Sequence, residues 1–579
     1  MQRNLRVILS VVVVALGAVH AWNTRDYMNP DGISYLDVGD ACLNGNLSAI
    51  NAYWSPLYPC VLGTALRLVK PSTHWEFPVV HFVNFAIYLF AFWAFDFLLR
   101  QLIRYHEAYK VENGLVALPA WLWVLLGYLL FLTCAFQFTF SPQIVSPDMC
   151  VVAFLFLASG ILLRIRRGAE TWPMFGLFGI TLGLGYLSKA VFLPFALIFF
   201  AISAFATKSP KSAVGRVLIA GLAFFLVASV YFVPLSVSKG RLTFGDTGKL
   251  NYAWVVNGVT LHIHWQGEPP GHGTPIHPTR KLLDHPAVYE FASPIGGTYP
   301  PWLDPSYWHE GVAPRFEPRI QMATLFQNVD GYLMLLSSAT QLSLVAGFLA
   351  LCLISYDRWR YLLENILRQW SLLVPSIAVF VLYAIIFVEK RYVGGFMVLM
   401  WLGLYFGAQI PYPRKARTLA MGIVIAVASV IVISVGRLTF PAAVALGRKM
   451  IKGEHYYANG LSARPAEMGQ TQVAEGLARM GVRPRDNVAS IGRGSFCGWA
   501  RLARVRIIAE VTDGSLIRPA TQDVQDFWAA DPSIRGKVIT TLASTGATAI
   551  VADQVPGWAS YEGWKQIGNT AYYVYFLPK

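Results

Sequence analysis

Charge is scarce in this chain: only 14% of its 579 residues are Asp, Glu, Lys or Arg, against about 25% in an ordinary soluble protein. Acids are scarcer than bases, 32 against 47. Cysteine is sparse as well, with six residues and no C-x-x-C pair. The lack of charge, with a mean hydropathy of +0.47, excludes a soluble enzyme, a disordered chain and a fibrous protein. The cysteine pattern leaves no iron–sulfur or structural zinc site. Cys42 and Cys60 share one loop and an oxidising compartment would allow a disulfide, but we expect scattered, unpaired apolar thiols. Nucleic acid is excluded as a partner, because the basic residues lie mainly between apolar segments, as membrane topology requires.

What the sequence does have is apolar runs of membrane-spanning length. We read about eleven, near 5–22, 77–99, 118–136, 149–163, 172–187, 190–206, 214–236, 334–355, 370–388, 392–409 and 418–436. Some are short for a straight crossing and are expected to be tilted or broken. The connections alternate in character. Short basic ones carry Arg3/Arg6, Arg100/Arg104/Lys110, Arg164/Arg166/Arg167, Lys208/Lys211/Arg216, Arg358/Arg360/Arg368 and Arg414/Lys415/Arg417. The positive-inside rule puts these in the cytoplasm. The N-terminus is then inside, and loops 23–76 and 237–333 lie outside with everything after about residue 437. A rival reading of the first run is a cleavable signal peptide. The expected fold is thus a polytopic α-helical membrane protein of the inner or plasma membrane, with a transmembrane domain over 1–436. A small external α/β domain follows over 437–579. In it, 471–481 and 533–545 read as helices, and 487–492, 504–511, 547–553 and 570–577 as strands of a partly parallel sheet. The Gly-rich IGRGSF (491–496) lacks a full phosphate-binding fingerprint and reads as a turn.

Few charges fall at the outer face, so each one counts. Asn29-Pro30 can open a helix at Asp31, placing Asp31 and Tyr35 one turn apart on one face. Asp148 is the single acid of the short second outer loop, at the mouth of the fourth span. Both acids have a plain reading as helix caps. Two lone carboxylates at one membrane face also suit acid/base work or the binding of a divalent cation. Lys189 lies between two apolar runs, where a lysine is costly without a partner; it either snorkels to the interface or binds a lipid phosphate. Glu389-Lys390-Arg391-Tyr392 is a charged cluster between two late spans and reads either as a connector or as part of the same site. All these charges are expected to meet one face, as a membrane-embedded substrate with an anionic head group requires.

These residues resemble the GT-C superfamily of integral membrane glycosyltransferases, in particular the branch of lipid A aminoarabinose transferases and protein O-mannosyltransferases. Asp31-x-x-x-Tyr35 is similar to the family's first-loop Asp and the Tyr after it. GNLSAINAYWSPLYPCVLGTAL (45–66), SPDMCVVAFLF (146–156) and LSKAVFLPFAL (187–197) resemble further family segments in order, and 389–392 resembles an Arg-Tyr entry to a late span. The resemblance implies transfer of a sugar from a polyprenyl-phosphate donor to a lipid, glycan or protein acceptor, by direct displacement with inversion. It implies that Asp31 is the base or acceptor-orienting group and that Asp148 assists, by orienting the acceptor or holding a divalent cation. Tyr35 would position Asp31, and Lys189 and Arg391 would contact the donor. No cofactor other than such a cation is implied. The chain departs from the aminoarabinose transferases at Tyr53-Trp54-Ser55-Pro56, where they carry a basic residue. It also lacks the Trp-Trp-Asp motif of sequon-specific transferases.

Loop 237–333 is long enough to be functional. Its Trp, Tyr, Pro and Gly content predicts an ordered, irregular cover, with the aromatic residues packed inward. Arg280 and Lys281, with Arg315 and Arg319, are candidates for the missing phosphate charge. Six of the eleven histidines fall in this loop, including His262-x-His264, and read as hydrogen-bonding rather than zinc-binding residues. Two other functions fit less well: a lipid-linked glycan transporter or flippase, which would place polar groups in mid-membrane and show repeats, and a non-catalytic envelope scaffold.

Overall fold

A computed structural model describes residues 2–578 except 45–49, 114–117, 140–142, 209, 261–263, 292–295, 356–357, 409–413, 453–468, 514–521 and 554. Every apolar run read as a span is helical. Among the described residues six helices are long and apolar enough to cross a bilayer: Arg3–Asn23, Thr73–Glu107, Ala120–Phe138, Asp148–Arg166, Ala213–Lys239 and Ala416–Val444. Two bent pairs, Pro318–Leu336 with Ala339–Ile354 and Trp359–Arg368 with Trp370–Ile386, bring the total to as many as eight. The chain is that of a multi-pass membrane protein. Shorter helices such as Trp172–Ser188 and Phe192–Phe205 complete the bundle. Close packing depends on small residues: a Cβ on Gly179 would lie 2.0 Å from the Ala220 carbonyl oxygen.

Loop 237–333 ends earlier than hydropathy indicated. Residues Pro318–Leu336 form a helix bent by 83° from the next. Its polar residues hid it, and they bond across to the Trp370–Ile386 helix. Gln321 Nε2 donates to the Ile385 carbonyl at 2.7 Å, Asn328 Nδ2 to Ala384 at 2.9 Å, and the Tyr332 hydroxyl to Phe380 at 2.8 Å.

Contacts among the basic turns gather them at one end. Asp96 pairs with both Arg6 and Arg100. Arg166 lies over the rings of Tyr105 and Trp370. The opposite end carries a layer in which the loops and the C-terminal segment share an apolar core. Tyr35, Trp54 and Tyr58 of the first loop share that core with Trp254, Trp265, Trp302 and Trp308 of the long loop and with Val473, Trp499 and Val574 of the C-terminal segment.

The C-terminal helices and strands form close to the expected positions. Strands β3 (Asn487–Gly492), β4 (Arg506–Thr512), β5 (Ala549–Ala552), β6 (Lys565–Gln566) and β7 (Tyr573–Phe576) are joined by two strands from the long loop, β1 (Arg280–Asp284) and β2 (Ala287–Glu290). The order is β1-β2-β4-β3-β5-β7-β6. The β3 pairings with β4 and β5 are parallel, and Ile491 stands opposite both Val511 and Ala552.

One expectation fails. Cys42 and Cys60 form a disulfide. The helices Pro30–Leu43 and Leu57–Val69 cross at Gly39 and Gly63, where an added Cβ would sit 2.4 Å from the Pro59 carbonyl oxygen or 2.6 Å from that of Gly39. This approach brings the two cysteine Cα atoms to 5.9 Å, within disulfide range.

Candidate functional site

Four polar side chains meet at the mouth of the bundle. Asn29 stands at the head of the Pro30–Leu43 helix, and its side chain does not cap it. Instead its amide clasps the second outer loop: Nδ2 donates to the Val145 carbonyl at 3.2 Å, and Val145 N–H donates to Oδ1 at 3.0 Å. That clasp brings Asp31, in the first turn of one helix, beside Asp148, at the start of another. Neither acid caps its own helix.

Asp148 is 3% exposed and fully engaged. Its Oδ1 lies 2.7 Å from Lys189 Nζ, and its Oδ2 lies 3.6 Å from Arg391 and accepts from Ser146 Oγ at 3.1 Å. Lys189 occupies an extended residue (φ −160°) between two helices, which throws its side chain into the mouth. Its ammonium also sits 3.9 Å from the centroid of the Tyr392 ring. Arg391, in the first turn of the Lys390–Gly407 helix, reaches both acids and stands 3.9 Å from Asp31 Oδ2. The partners explain how a lysine and an arginine tolerate this position.

Asp31 is the more open acid, 23% exposed. Its Oδ1 accepts from Trp302 Nε1 at 3.0 Å. Tyr35 is buried one turn on, edge-on to Trp54 and Tyr58. Burial, and then the charges of Asp31 and Asp148, hold its hydroxyl well above the ordinary range, so it stays protonated. Tyr53 is in the same state, through burial and its proximity to Tyr392 and Asp31. A small cleft is lined by Asp148, Lys189, Arg391, Tyr383 and Tyr392 on its polar side. Val151, Val152, Leu155, Val191 and Phe396 form its apolar wall.

Arg280 and Lys281 are not part of this cluster. Both lie on edge strand β1, where Arg280 pairs with Glu290 and Lys281 with Asp284 at 2.9 Å. Arg315 and Arg319 are exposed. His262 lies outside the described residues. His264 is buried between Thr279 and Glu510, with Nε2 2.9 Å from the carboxylate.

The donor set does not fit a divalent cation. Among the described residues no three His, Cys, Asp or Glu side chains gather as metal ligands. The space facing Asp31 and Asp148 belongs to Arg391, and Lys189 takes a further Asp148 oxygen. The protein supplies its own cations here. Sequence reasoning missed Trp302, Tyr53 and Tyr383. Only Tyr53 carried a signal, as the departure from the basic residue of the aminoarabinose transferases.

No family model matches the chain, and no curated protein matches it in sequence. Among solved structures it is similar to the apo oligosaccharyltransferase of Archaeoglobus fulgidus, with 14% identity and a TM-score of 0.46, over 96% of this chain and 69% of that one. It is also similar to ArnT from Cupriavidus metallidurans bound to undecaprenyl phosphate, with 11% identity and a TM-score of 0.41, over 98% and 97%. Both are likenesses of fold alone.

Proposed function

We propose that the protein is a membrane glycosyltransferase that moves a sugar from a polyprenyl-phosphate donor to an acceptor hydroxyl or amine. One observation carries this reading: Asp148, Lys189 and Arg391 line a single cleft whose other wall is apolar, and Arg391 also reaches Asp31 beside it. Two cations beside an apolar surface suit a phosphate on a lipid chain. The more exposed carboxylate nearby suits a base.

In this reading Lys189 and Arg391 bind the donor phosphate. Asp148 is buried and doubly paired, and it fixes both cations rather than meeting the acceptor. Asp31 takes the acceptor proton as the acceptor atom bonds to the anomeric carbon. The bond from that carbon to the phosphate oxygen breaks, and polyprenyl phosphate leaves with the electron pair. Attack opposite the leaving group inverts the anomeric centre. The cations already neutralise the leaving phosphate, so the step needs no separate general acid. Tyr35 packs against the Asp31 turn and holds it in place. We read the site as facing the exterior or periplasm, and the Cys42–Cys60 disulfide, at the other end of the helix that carries Asp31, supports an oxidising compartment.

The test is sugar release and transfer from a panel of radiolabelled polyprenyl-phosphate sugars, with wild type and Asp31→Asn in parallel. Turnover by wild type alone is expected. Equal activity of the two proteins would remove Asp31 from the reaction. Saturable donor binding without turnover of any donor would favour a transporter.

A further inference from the structure

We propose that Trp302, contributed by the long outer loop, is a positioning residue that fixes the Asp31 carboxylate by donating its indole N–H to Oδ1. This rests on the reading of Asp31 as the base.

Three observations support it. First, a buried indole N–H seeks an acceptor, and three nearby tryptophans find theirs in the backbone. Trp54 Nε1 donates to the Trp302 carbonyl, Trp308 Nε1 to Pro300 and Trp265 Nε1 to Glu268. Trp302 donates instead to the Asp31 carboxylate, which Arg391 links to the cleft. Second, its own backbone is held from several sides. Its carbonyl accepts from Ser34 Oγ at 2.8 Å and from Trp54 Nε1 at 3.2 Å, its N–H donates to the Tyr299 carbonyl, and Asn51 Nδ2 donates to the next carbonyl, that of Leu303. The ring is 8% exposed and packs on Trp54 and Tyr53, so the donor cannot swing away. Third, the bond divides the work of the two carboxylate oxygens. Oδ1 is taken by a neutral donor, which orients the group without cancelling its charge. Oδ2 faces Arg391 at 3.9 Å and stays free to accept a proton from substrate.

Packing alone would require the ring but not its N–H. Trp302→Phe separates the two roles, because it keeps most of the apolar bulk and removes the donor. Transfer kinetics would be measured for wild type, Trp302→Phe, Asp31→Asn and the double variant, with donor KM and thermal midpoint for each. For Trp302→Phe we expect kcat to fall by about tenfold or more, the usual scale for losing a hydrogen bond to a charged group. Donor KM should stay within about twofold and the midpoint should hardly move. In the Asp31→Asn background the same change should cost nothing further, since the base is already gone. Trp302→Phe with wild-type kcat, beside an inactive Asp31→Asn, would overturn the positioning role and leave the proposed function standing. A lowered midpoint, with activity falling only in proportion to the folded protein, would make Trp302 a packing residue only. A fully active Asp31→Asn protein, or an inactive wild type, would overturn both readings.

Discussion

Arg501 Nε lies 2.8 Å from Glu76 Oε1, so the C-terminal segment grips the first residue of the Glu76–Asn113 helix. The same guanidinium reaches Asp37 at 2.8 Å and Asp40 at 2.6 Å, and Arg504 reaches the other Glu76 oxygen at 2.6 Å. Asp37 also accepts from Thr298 N–H and Oγ. The helix that carries Asp31 is therefore held by the long loop and the C-terminal segment together. Burial pushes the Asp37 carboxyl up, and Arg501 opposes that shift. Arg501→Met leaves Glu76 and Asp37 buried without their main partner. We predict a loss of about 3–5 kcal/mol, read as a lower thermal midpoint and earlier proteolysis of the C-terminal segment. The deficit should shrink in acid, as Asp37 takes up a proton.

The cations of the cleft are expected to act on donor binding. Lys189→Met should raise donor KM by about tenfold or more, the scale of a charge-assisted contact. It also strips Asp148 of its nearest partner. Removing one member of a buried pair costs more than removing both. Lys189→Met/Asp148→Asn should therefore melt at a higher temperature than Lys189→Met, while donor KM stays raised.

Asp304 gives a pH signature in the outer layer. Burial pushes its carboxyl from 3.8 up to about 6, against the pull of Lys239 and the hydrogen bonds of Ser306. The folded state then holds the proton more tightly than the unfolded chain. Its contribution to stability is full below pH 3.8 and is lost as pH rises through about 6. Asp304→Asn is neutral throughout and can still accept from Ser306. Relative to wild type it should be more stable near neutral pH, and the advantage should vanish between pH 6 and 4. Thermal unfolding of both proteins across that range is the check.

Cys42→Ser or Cys60→Ser removes a cross-link with a sequence separation of 18, which should cost about 3 kcal/mol. Reduction of wild type should cost the same and leave Cys42→Ser unaffected. Alkylation before and after reduction should add two labels to wild type and none to the variant beyond its free thiols.

The sequence revealed whatever a short window can carry. Pro30 opens its helix, β3 is the run NVASIG, and Asp148, Lys189 and Arg391 stand out as charges set between apolar runs at one expected face, where charge is scarce. What it hid depends on distant partners. Trp302 meets Asp31 across 271 positions, and Arg501 meets Asp37 across 464; no local pattern marks either residue. Cys42 and Cys60 needed the glycine crossing to be paired. Arg280 and Lys281 were drawn to the site by charge alone, but strand pairing carries them to the edge of the sheet.

The hairpin that takes them there also constrains how the protein is made. Strand β2 ends at Glu290, and the strand it pairs with begins at Arg506. The ribosome therefore completes the later membrane helices while the backbone groups on one side of β2 have no partner. An open strand edge invites pairing with other chains, and a contact this distant in sequence forms late. A chain truncated before β4 should insert in the membrane and yet associate with its neighbours, becoming a target for cellular quality control. The sheet is thus incomplete until its last strands have been made.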